Sequence, residues 1–208
     1  MSKIESPLSG LGTFLPDGCL PAVISYLQQY KVHLTVTRER KTILGNYRNK
    51  ISDKNHRITV NGNLNKYSFL ITLLHELGHL VAYEKFCHRI APHGPQWKNE
   101  YAKILTGFLQ QKIFPADIES VLIKSMNGLA ASSCADIHLT RVLKKYDVKK
   151  EGVLFIEELS EGSLFKIKGG RVFKKGERIK KRFKCTEPAT GKMYLFSPVY
   201  EVQLLPGK

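Results

Sequence analysis

Residues 66–86 read KYSFLITLLHELGHLVAYEKF and contain the motif His75-Glu76-Leu77-Gly78-His79. The segment follows Asn65, a residue type that favours a helix N-cap, and its apolar content predicts a long helix buried on most sides. Four residues along a helix advance the chain by ~6 Å and turn it ~40° past a full circle, so both imidazoles project from one face. Two buried histidines and a carboxylate without partners would be costly. The motif therefore predicts a metal site, and the alternative is core histidines satisfied by hydrogen bonds.

The residue types of this motif are those of a hydrolytic zinc site. Zinc held by His75 and His79 lowers the pKa of a bound water towards ~7. Glu76 lies beside the two histidines and is angled to take the proton of that water for attack on a peptide carbonyl. The sequence therefore predicts one Zn²⁺ and a peptidase with Glu76 as its general base.

A catalytic zinc needs a third protein ligand, and the chain offers three candidates downstream. His93 precedes Gly-Pro-Gln-Trp, where the chain turns into a helix that can pack antiparallel to the first, and it is the predicted ligand. Glu100 is the alternative, because Asn99-Glu100 begins an Asn-Glu-x-x-x-Asp ligand pattern in which Ile104 occupies the aspartate position. His88 lies too close behind the long helix to fold back easily, and we interpret it as loop surface.

The rest of the N-terminal part predicts a mixed fold around this helix. Period-two alternation predicts strands over residues 32–36, 42–48 and 56–60. Helical spacing predicts further helices from about residue 20, over 96–109, after Pro115 and over about 135–146. The predicted class is α+β: a small antiparallel β meander, the active-site helix and packing helices in a zincin-like arrangement, followed by a small C-terminal β module. We expect a flexible lead-in at residues 1–18 and a metalloprotease domain at 19–147.

Composition changes after residue 147. Residues 148–208 carry short apolar segments separated by Gly-Gly and Pro-Ala-Thr-Gly, which predict the C-terminal β module. Its predicted apolar core consists of Leu154, Ile156, Phe165, Ile167, Phe173, Phe183, Tyr194 and Phe196.

The C-terminal module is also strongly basic. Residues 162–192 contain eleven Lys and Arg against two Glu, a surplus of nine. We predict nucleic-acid contacts from Arg171, Lys174, Lys175, Arg178, Lys180, Lys181, Arg182 and Lys184. A strand over 179–185 would place Arg178, Lys180, Arg182 and Lys184 on one face, with Ile179 and Phe183 on the other. Such a face suits backbone phosphates without reading bases, and the alternative is a solvated polar face.

Composition limits the class of protein. A chain of 208 residues with 42% hydrophobic and 25% charged residues is neither disordered nor a coiled coil. No apolar run approaches the ~18–20 residues of a membrane span and the N-terminus has no signal-peptide pattern, so we expect a cytoplasmic protein without a membrane partner. Four widely spaced cysteines encode neither a disulfide framework nor a zinc ribbon. The net charge of +15 favours a polyanionic partner, with nucleic acid as the leading candidate.

Residues 20–125 resemble the SprT-like metalloproteases, the family that includes Spartan. The resemblance rests on His75, Glu76 and His79, followed after a short interval by His93-Gly94 and Trp97. It implies that the three histidines bind zinc, that Glu76 is the general base and that Trp97 packs the His-Gly turn against the active-site helix. Many members carry a four-cysteine zinc ribbon after the catalytic part, whereas this chain has only Cys134 and Cys185 there.

Family members are associated with proteolysis of DNA-bound or DNA-crosslinked proteins, as in DNA repair. Together with the charge, the resemblance predicts a zinc endopeptidase whose partners are a protein substrate and DNA, single- or double-stranded, bound without sequence preference. The alternative is a nucleic-acid-binding or scaffold protein with a vestigial, weakly active zinc site. Intact Glu76 argues against that alternative, because a structural site needs no base beside the metal.

Overall fold

The predicted long helix forms as α2 (Lys66–Phe86) in the computed structural model, which describes residues 8–40, 42–51, 54–87, 89–126, 136–148 and 151–205. The side chain of Asn65 caps the helix by accepting a hydrogen bond from the Ser68 backbone N–H at 2.9 Å. Thirteen residues of α2 are buried, and they lie on all sides of the helix. The prediction of a long helix buried on most sides is confirmed.

The chain divides into two compact units, Met1–Asp147 and Val148–Lys208. Besides α2, the described residues of the N-terminal unit form α1 (Leu20–Gln29), β1 (Val32–Thr37), β2 (Gly45–Arg48), β3 (His56–Asn61), α3 (Pro95–Gln110), α4 (Ala116–Met126) and α5 (Ile137–Lys144). One hydrophobic cluster joins α1, the inner face of the sheet and helices α2 to α5. The four further helices predicted by the periodicity are confirmed. Among the described residues, no helix has the length and apolar character that crossing a membrane requires.

The three strands do not form the predicted antiparallel meander. β3 lies in the centre of the sheet, where β2 pairs with it in antiparallel orientation and β1 pairs with it in parallel orientation. In this central position, Ile58 and Val60 of β3 are fully buried in the core. The connection from β1 to β2 passes the end of β3, where the Arg40 Nε–H donates to the Asn61 side chain at 2.7 Å. This crossing leaves β2 at an edge of the sheet, and β2 is also shorter than predicted.

The N-terminal segment is folded rather than a flexible lead-in. Leu8–Phe14 form a 3-10 helix, and Leu11 and Leu15 are buried. The ring of Phe14 stacks on Phe69 of α2 at a centroid distance of 5.4 Å. The expected lead-in is therefore wrong for residues 8–15, because their apolar side chains cover the beginning of α2. Residues 1–7 lie outside the described part of the chain.

Helix α3 packs closely against α2 beside the motif. Gly78 permits this approach, because a Cβ there would lie 3.0 Å from the Tyr101 Cβ and 3.3 Å from the Trp97 Nε1. Both aromatic residues are buried, on the face of α3 that the helical spacing predicts. The glycine in the middle of the motif therefore sets the distance between the two helices.

The C-terminal unit forms one antiparallel sheet in the order β4-β9-β5-β6-β7-β8. Its strands are β4 (Val153–Phe155), β5 (Leu164–Lys166), β6 (Val172–Ile179), β7 (Arg182–Thr186), β8 (Met193–Phe196) and β9 (Glu201–Leu204). Four of the eight predicted core residues are buried in its hydrophobic cluster, and the other four are partly buried and pack against that cluster, so the prediction is confirmed. Cys185 is buried in the same cluster, whereas Cys134 lies outside the described residues.

Candidate metal centre

Three imidazoles meet at one point beside α2. His75 and His79 lie one turn apart on this helix, and His93 lies in the turn before α3. The His75 Nε2 is 3.2 Å from the His79 Nε2 and 3.2 Å from the His93 Nε2. Ligand atoms of all three residues lie within 4.8 Å of one another. The fold therefore brings together the three residues that the sequence predicts as metal ligands.

The imidazole geometry fits a zinc ion better than a hydrogen-bonded cluster. Zinc–nitrogen bonds of about 2.0–2.1 Å at tetrahedral angles separate two ligating nitrogens by about 3.3 Å. By contrast, the His75 Nε2 carries either one proton or one lone pair, so it cannot hydrogen-bond both neighbours. Burial and the neighbouring histidines lower the pKa of His75 to about 3 and that of His79 to about 4, and burial lowers the pKa of His93 as well. All three rings are therefore neutral at pH 7 and offer lone pairs to a cation.

A tight turn directs His93 towards the other two histidines. His93 has a left-handed backbone with a φ of 58°, and the Gly94 N–H donates to the Ala91 carbonyl at 2.9 Å. Gly94 is also the N-cap of α3, and Pro95 is the first residue of that helix. A Cβ at position 94 would lie only 3.0 Å from the Ala91 carbonyl oxygen. Non-glycine residues with this backbone conformation are costly and cluster at functional sites.

Trp97 forms the floor of the histidine cluster. Its side chain is almost fully buried, and its ring centroid lies 4.7 Å from that of His75, 5.1 Å from that of His79 and 4.7 Å from that of His93. Tyr101 stacks on Trp97 at 5.1 Å and supports it from α3. Trp97 therefore contacts both the turn and α2, which is the packing that the family resemblance implies.

Glu76 lies between α2 and the edge strand β2. A Cβ on Gly45 would be 2.7 Å from the Glu76 Oε1, so a residue without a side chain is needed where the strand passes the carboxylate. Burial raises the pKa of Glu76 to about 7, although a hydrogen bond from the Tyr47 backbone and the charge of Arg40 act to lower it. A carboxylate with this pKa can take up and release a proton near neutral pH.

Sequence reasoning missed Gly45, Tyr47 and Arg40 as residues that surround the predicted base. Gly45 carried a signal, because a glycine inside a strand pattern marks a close approach by another part of the chain. No local pattern connects Tyr47 or Arg40 with Glu76. Their proximity depends on β2 occupying the sheet edge next to α2, and the expected meander did not place it there.

Glu100, the alternative third ligand, is engaged elsewhere. Its carboxylate is buried on α3 and forms ion pairs with the Lys85 Nζ at 2.6 Å and the Lys103 Nζ at 2.9 Å. It does not belong to the group of ligand atoms around His75. These ion pairs favour His93 over Glu100 as the third ligand. His88 lies outside the described residues.

The model of the SprT-like family matches residues 22–118, a range that contains the three histidines, Glu76 and Trp97. Residues 22–118 of the N-terminal unit are therefore similar to the SprT-like family. The comparison with curated proteins gave no match, and neither did the comparison with solved structures. The SprT-like family is associated with metallopeptidases and implies zinc, so the family and the imidazole geometry lead to the same cofactor.

In the C-terminal unit, two of the eight predicted nucleic-acid contacts have structural roles. The Lys175 side chain is buried, and its ammonium donates to the Leu159 carbonyl at 2.5 Å and lies 4.2 Å from the centre of the Phe183 ring. Arg171 donates to the Glu187 carboxylate at 2.7 Å, with its guanidinium against two aromatic rings. Lys175 is therefore not available to a phosphate, because it satisfies carbonyl groups in the core. The Arg171 charge is largely neutralised by Glu187.

The predicted single basic face is also wrong. The chain reverses at Lys180, whose backbone is left-handed with a φ of 52°, so residues 179–185 form a hairpin rather than one strand. Arg182 pairs with Ile179 and Arg178 pairs with Phe183, and residues that pair directly share a face of the sheet. Arg178 therefore lies on the face opposite to Arg182. Lys174, Lys180 and Lys181 are exposed, and Lys184 lies 4.0 Å from the Glu177 carboxylate.

Proposed function

We propose that this chain is a zinc-dependent endopeptidase that cleaves proteins associated with nucleic acid. The match of residues 22–118 to the SprT-like family model supports a metalloprotease-like function. The proposal rests on one observation. Three neutral imidazoles converge beside the buried carboxylate of Glu76, which lies on the same helix as two of them. A site with only a structural role would have no need of that carboxylate.

Each residue of the centre has a part in the proposed reaction. His75, His79 and His93 would hold the zinc ion, which when bound supplies a Lewis acid for a water and a peptide carbonyl. Glu76 accepts the proton of the attacking water on its carboxylate and passes it to the leaving amine. A single carboxylate can make both transfers, because it takes up a proton in one step and releases it in the next.

The edge strand β2 offers a binding site for an extended peptide. In the described sheet it pairs with β3 on one side only, so its other edge is open to a partner strand, although the Tyr47 backbone N–H already donates to Glu76. Gly45 of this strand lies against Glu76, so a peptide paired with β2 would pass the base. Recognition through the backbone accepts many side-chain sequences, which fits a peptidase whose selectivity comes from location.

Electrostatics support the association with nucleic acid. The chain carries a net charge of +15, and the cations Lys174, Lys180, Lys181 and Arg182 of the C-terminal unit are exposed. Contacts to phosphates alone give binding that depends on salt and not on base sequence. We therefore propose DNA or RNA, bound through its backbone, as the partner that brings the peptidase to its substrates.

Cleavage of a loosely folded DNA-binding protein, with and without DNA, tests the proposal. We expect one zinc per chain and cleavage that DNA stimulates. Glu76→Gln is the control, because the amide keeps the shape of the side chain and cannot accept a proton, so zinc should remain while the rate falls by orders of magnitude. Undiminished cleavage by this variant would overturn the mechanism. A zinc-loaded wild-type protein that cleaves no unfolded substrate would favour the scaffold alternative.

A further inference from the structure

We propose that the outer face of the β1-β3-β2 sheet is a second nucleic-acid surface, which binds backbone phosphates through Arg48 and Arg57. The proposal rests on the nucleic-acid association proposed above. It places an additional binding site in the N-terminal unit, separate from the basic residues of the C-terminal unit. The face contains a depression of about 520 Å³ whose lining includes both arginines.

Strand register arranges this face in rows. His33, Arg57 and Arg48 form one row across the three strands, because Arg57 pairs with both of its neighbours. Thr35, Thr59 and Asn46 form the next row in the same way. All six residues line the depression. The sheet therefore presents cationic side chains beside the Thr35 hydroxyl and the Asn46 amide, whereas the Thr59 hydroxyl already donates to the Asn46 carbonyl. Such cationic, hydroxyl and amide groups donate hydrogen bonds to phosphate oxygens in protein–DNA complexes.

In the part of the chain that the structure describes, the two arginines form a pair that no carboxylate neutralises. Arg48 and Arg57 are exposed and lie directly opposite each other on strands about 4.8 Å apart. Within the described residues neither guanidinium has a carboxylate partner, and no acidic residue lines the depression. Like charges opposite each other destabilise a sheet. An anion that bridges the guanidinium groups would relieve this repulsion, and planar guanidinium groups bind phosphate through paired hydrogen bonds.

Arg40 lines the depression near the C-terminal end of β3 and is held there by hydrogen bonds. Its guanidinium donates to Asn61 Oδ1 at 2.7 Å and to Thr59 Oγ1 at 2.9 Å, and it also reaches the Leu44 carbonyl at 3.3 Å. These bonds hold the connection between β1 and β2 in place beside the sheet. The shape of the depression is therefore set by the protein before an anion binds, which lowers the entropic cost of binding.

Strand β2 connects this surface to the candidate metal centre. Asn46 and Arg48 lie on its outer face, whereas Gly45 and Tyr47 lie on its inner face next to Glu76. A nucleic acid on the outer face would be separated from the Glu76 carboxylate by strand β2. A protein attached to that nucleic acid would then have its extended segments near the free edge of β2.

Binding of the full-length chain to a fluorescent single-stranded oligonucleotide over a range of salt concentrations tests the inference. Each lost phosphate contact reduces the slope of log affinity against log salt by about 0.7 for a single strand. Arg48→Gln with Arg57→Gln should therefore make the slope shallower by about 1.4, equally for unrelated sequences. Lys124→Gln, which removes an exposed charge on α4, is the matched control and should change the slope far less than Arg57→Gln alone.

Several outcomes would overturn the inference. An unchanged slope of log affinity against log salt in the double variant would overturn it. If neutralising Lys180 and Arg182 then removed the salt dependence, the phosphate contacts would lie in the C-terminal unit instead. Displacement of the oligonucleotide by polyglutamate at equal charge concentration would indicate an acidic protein as the ligand instead, and displacement by inorganic phosphate at low concentration would indicate a small anion.

A second readout separates this inference from the proposed peptidase. The double variant should keep its zinc and its thermal unfolding, because neither arginine lies on the inner face. The single Arg57→Gln variant should also keep its cleavage of a free unfolded peptide, because Arg57 lies on β3 and not on the proposed peptide-binding strand. If the wild type cleaves no peptide, the peptidase proposal fails while the binding comparison still stands. If the double variant unfolds, the single Arg57→Gln variant provides the same comparison with half the expected change.

Discussion

Substituting Gly45 by alanine should damage catalysis at the proposed centre without removing the metal. The added Cβ would lie 2.7 Å from the Glu76 Oε1 and 2.7 Å from the Thr72 Cγ2, about 0.7 Å closer than the 3.4 Å at which ordinary contact begins. Thr72 cannot give way easily, because it is β-branched and its hydroxyl donates to the Ser68 carbonyl at 2.8 Å. The displacement therefore falls largely on Glu76 and on β2.

The magnitude follows from this displacement. A misplacement of about 1 Å at a catalytic group can cost roughly a hundredfold in rate, so we expect kcat/KM for peptide cleavage to fall roughly tenfold to hundredfold. Overpacking a buried contact by one methyl group should also lower the free energy of unfolding by about 1–3 kcal/mol. Zinc content should stay at the wild-type level, because no histidine is touched.

Peptide cleavage, metal analysis and urea unfolding measure the three quantities. Gly107→Ala is the matched control, since a Cβ at this position of α3 meets nothing within 4 Å. It should leave cleavage unchanged and stabilise the protein by about 0.5–1 kcal/mol, as alanine does in a helix interior. Wild-type cleavage and stability in Gly45→Ala would refute the placement of β2 against Glu76.

Three further predictions concern the metal ligands, pH and helix packing. His93→Asn should lose zinc, because asparagine tolerates the left-handed backbone but supplies no imidazole. Glu100→Gln should keep zinc. Metal analysis that showed the reverse order would make Glu100 the third ligand. Burial acts to raise the pKa of Glu100, but its lysine partners lower the pKa overall, so the stability it contributes is present above its ordinary pKa of 4.5 and lost as the pH falls below it. Urea unfolding should therefore show that Glu100→Gln destabilises at pH 7 and that the difference from wild type shrinks below pH 4.5; a constant difference would contradict the ion pairs. Gly78→Ala should push α3 away at Tyr101 and Trp97 and so reduce both zinc affinity and thermal stability. Unchanged values would show that α2 and α3 can accommodate a methyl group between them.

The sequence predicted those parts of the site that depend on local geometry. His75, Glu76 and His79 lie on one helix, and helical spacing alone decides which way their side chains project. His93 was predictable from the short distance along the chain to the next helix. The positions of Gly45 and Arg40 were not, because they follow from the order of three strands, and the parallel pairing of β1 with β3 is a contact between segments distant in sequence.

In the C-terminal unit, too, local patterns were predictable and the arrangement of the strands was not. Its apolar core was predictable because strands alternate with a period of two, and every predicted core residue contributes to the cluster. The hairpin at Lys180 was not predictable, because the turn contains two lysines instead of the glycine or asparagine that usually mark a reversal. Charge alone also could not distinguish Lys175, which is buried, from its exposed neighbours.

The burial of α2 has a consequence for engineering this protein. The helix supplies two of the candidate metal ligands, and its thirteen buried residues supply much of the packing that holds the N-terminal unit together. Substitutions that change this packing therefore also change the surroundings of the metal centre. A library aimed at thermostability would lose activity wherever it altered this helix, and a library aimed at new activity would lose folded protein there. Substitutions at helix positions with open space for a side chain, such as Gly107 of α3, offer a route to stability that leaves the chemistry in place.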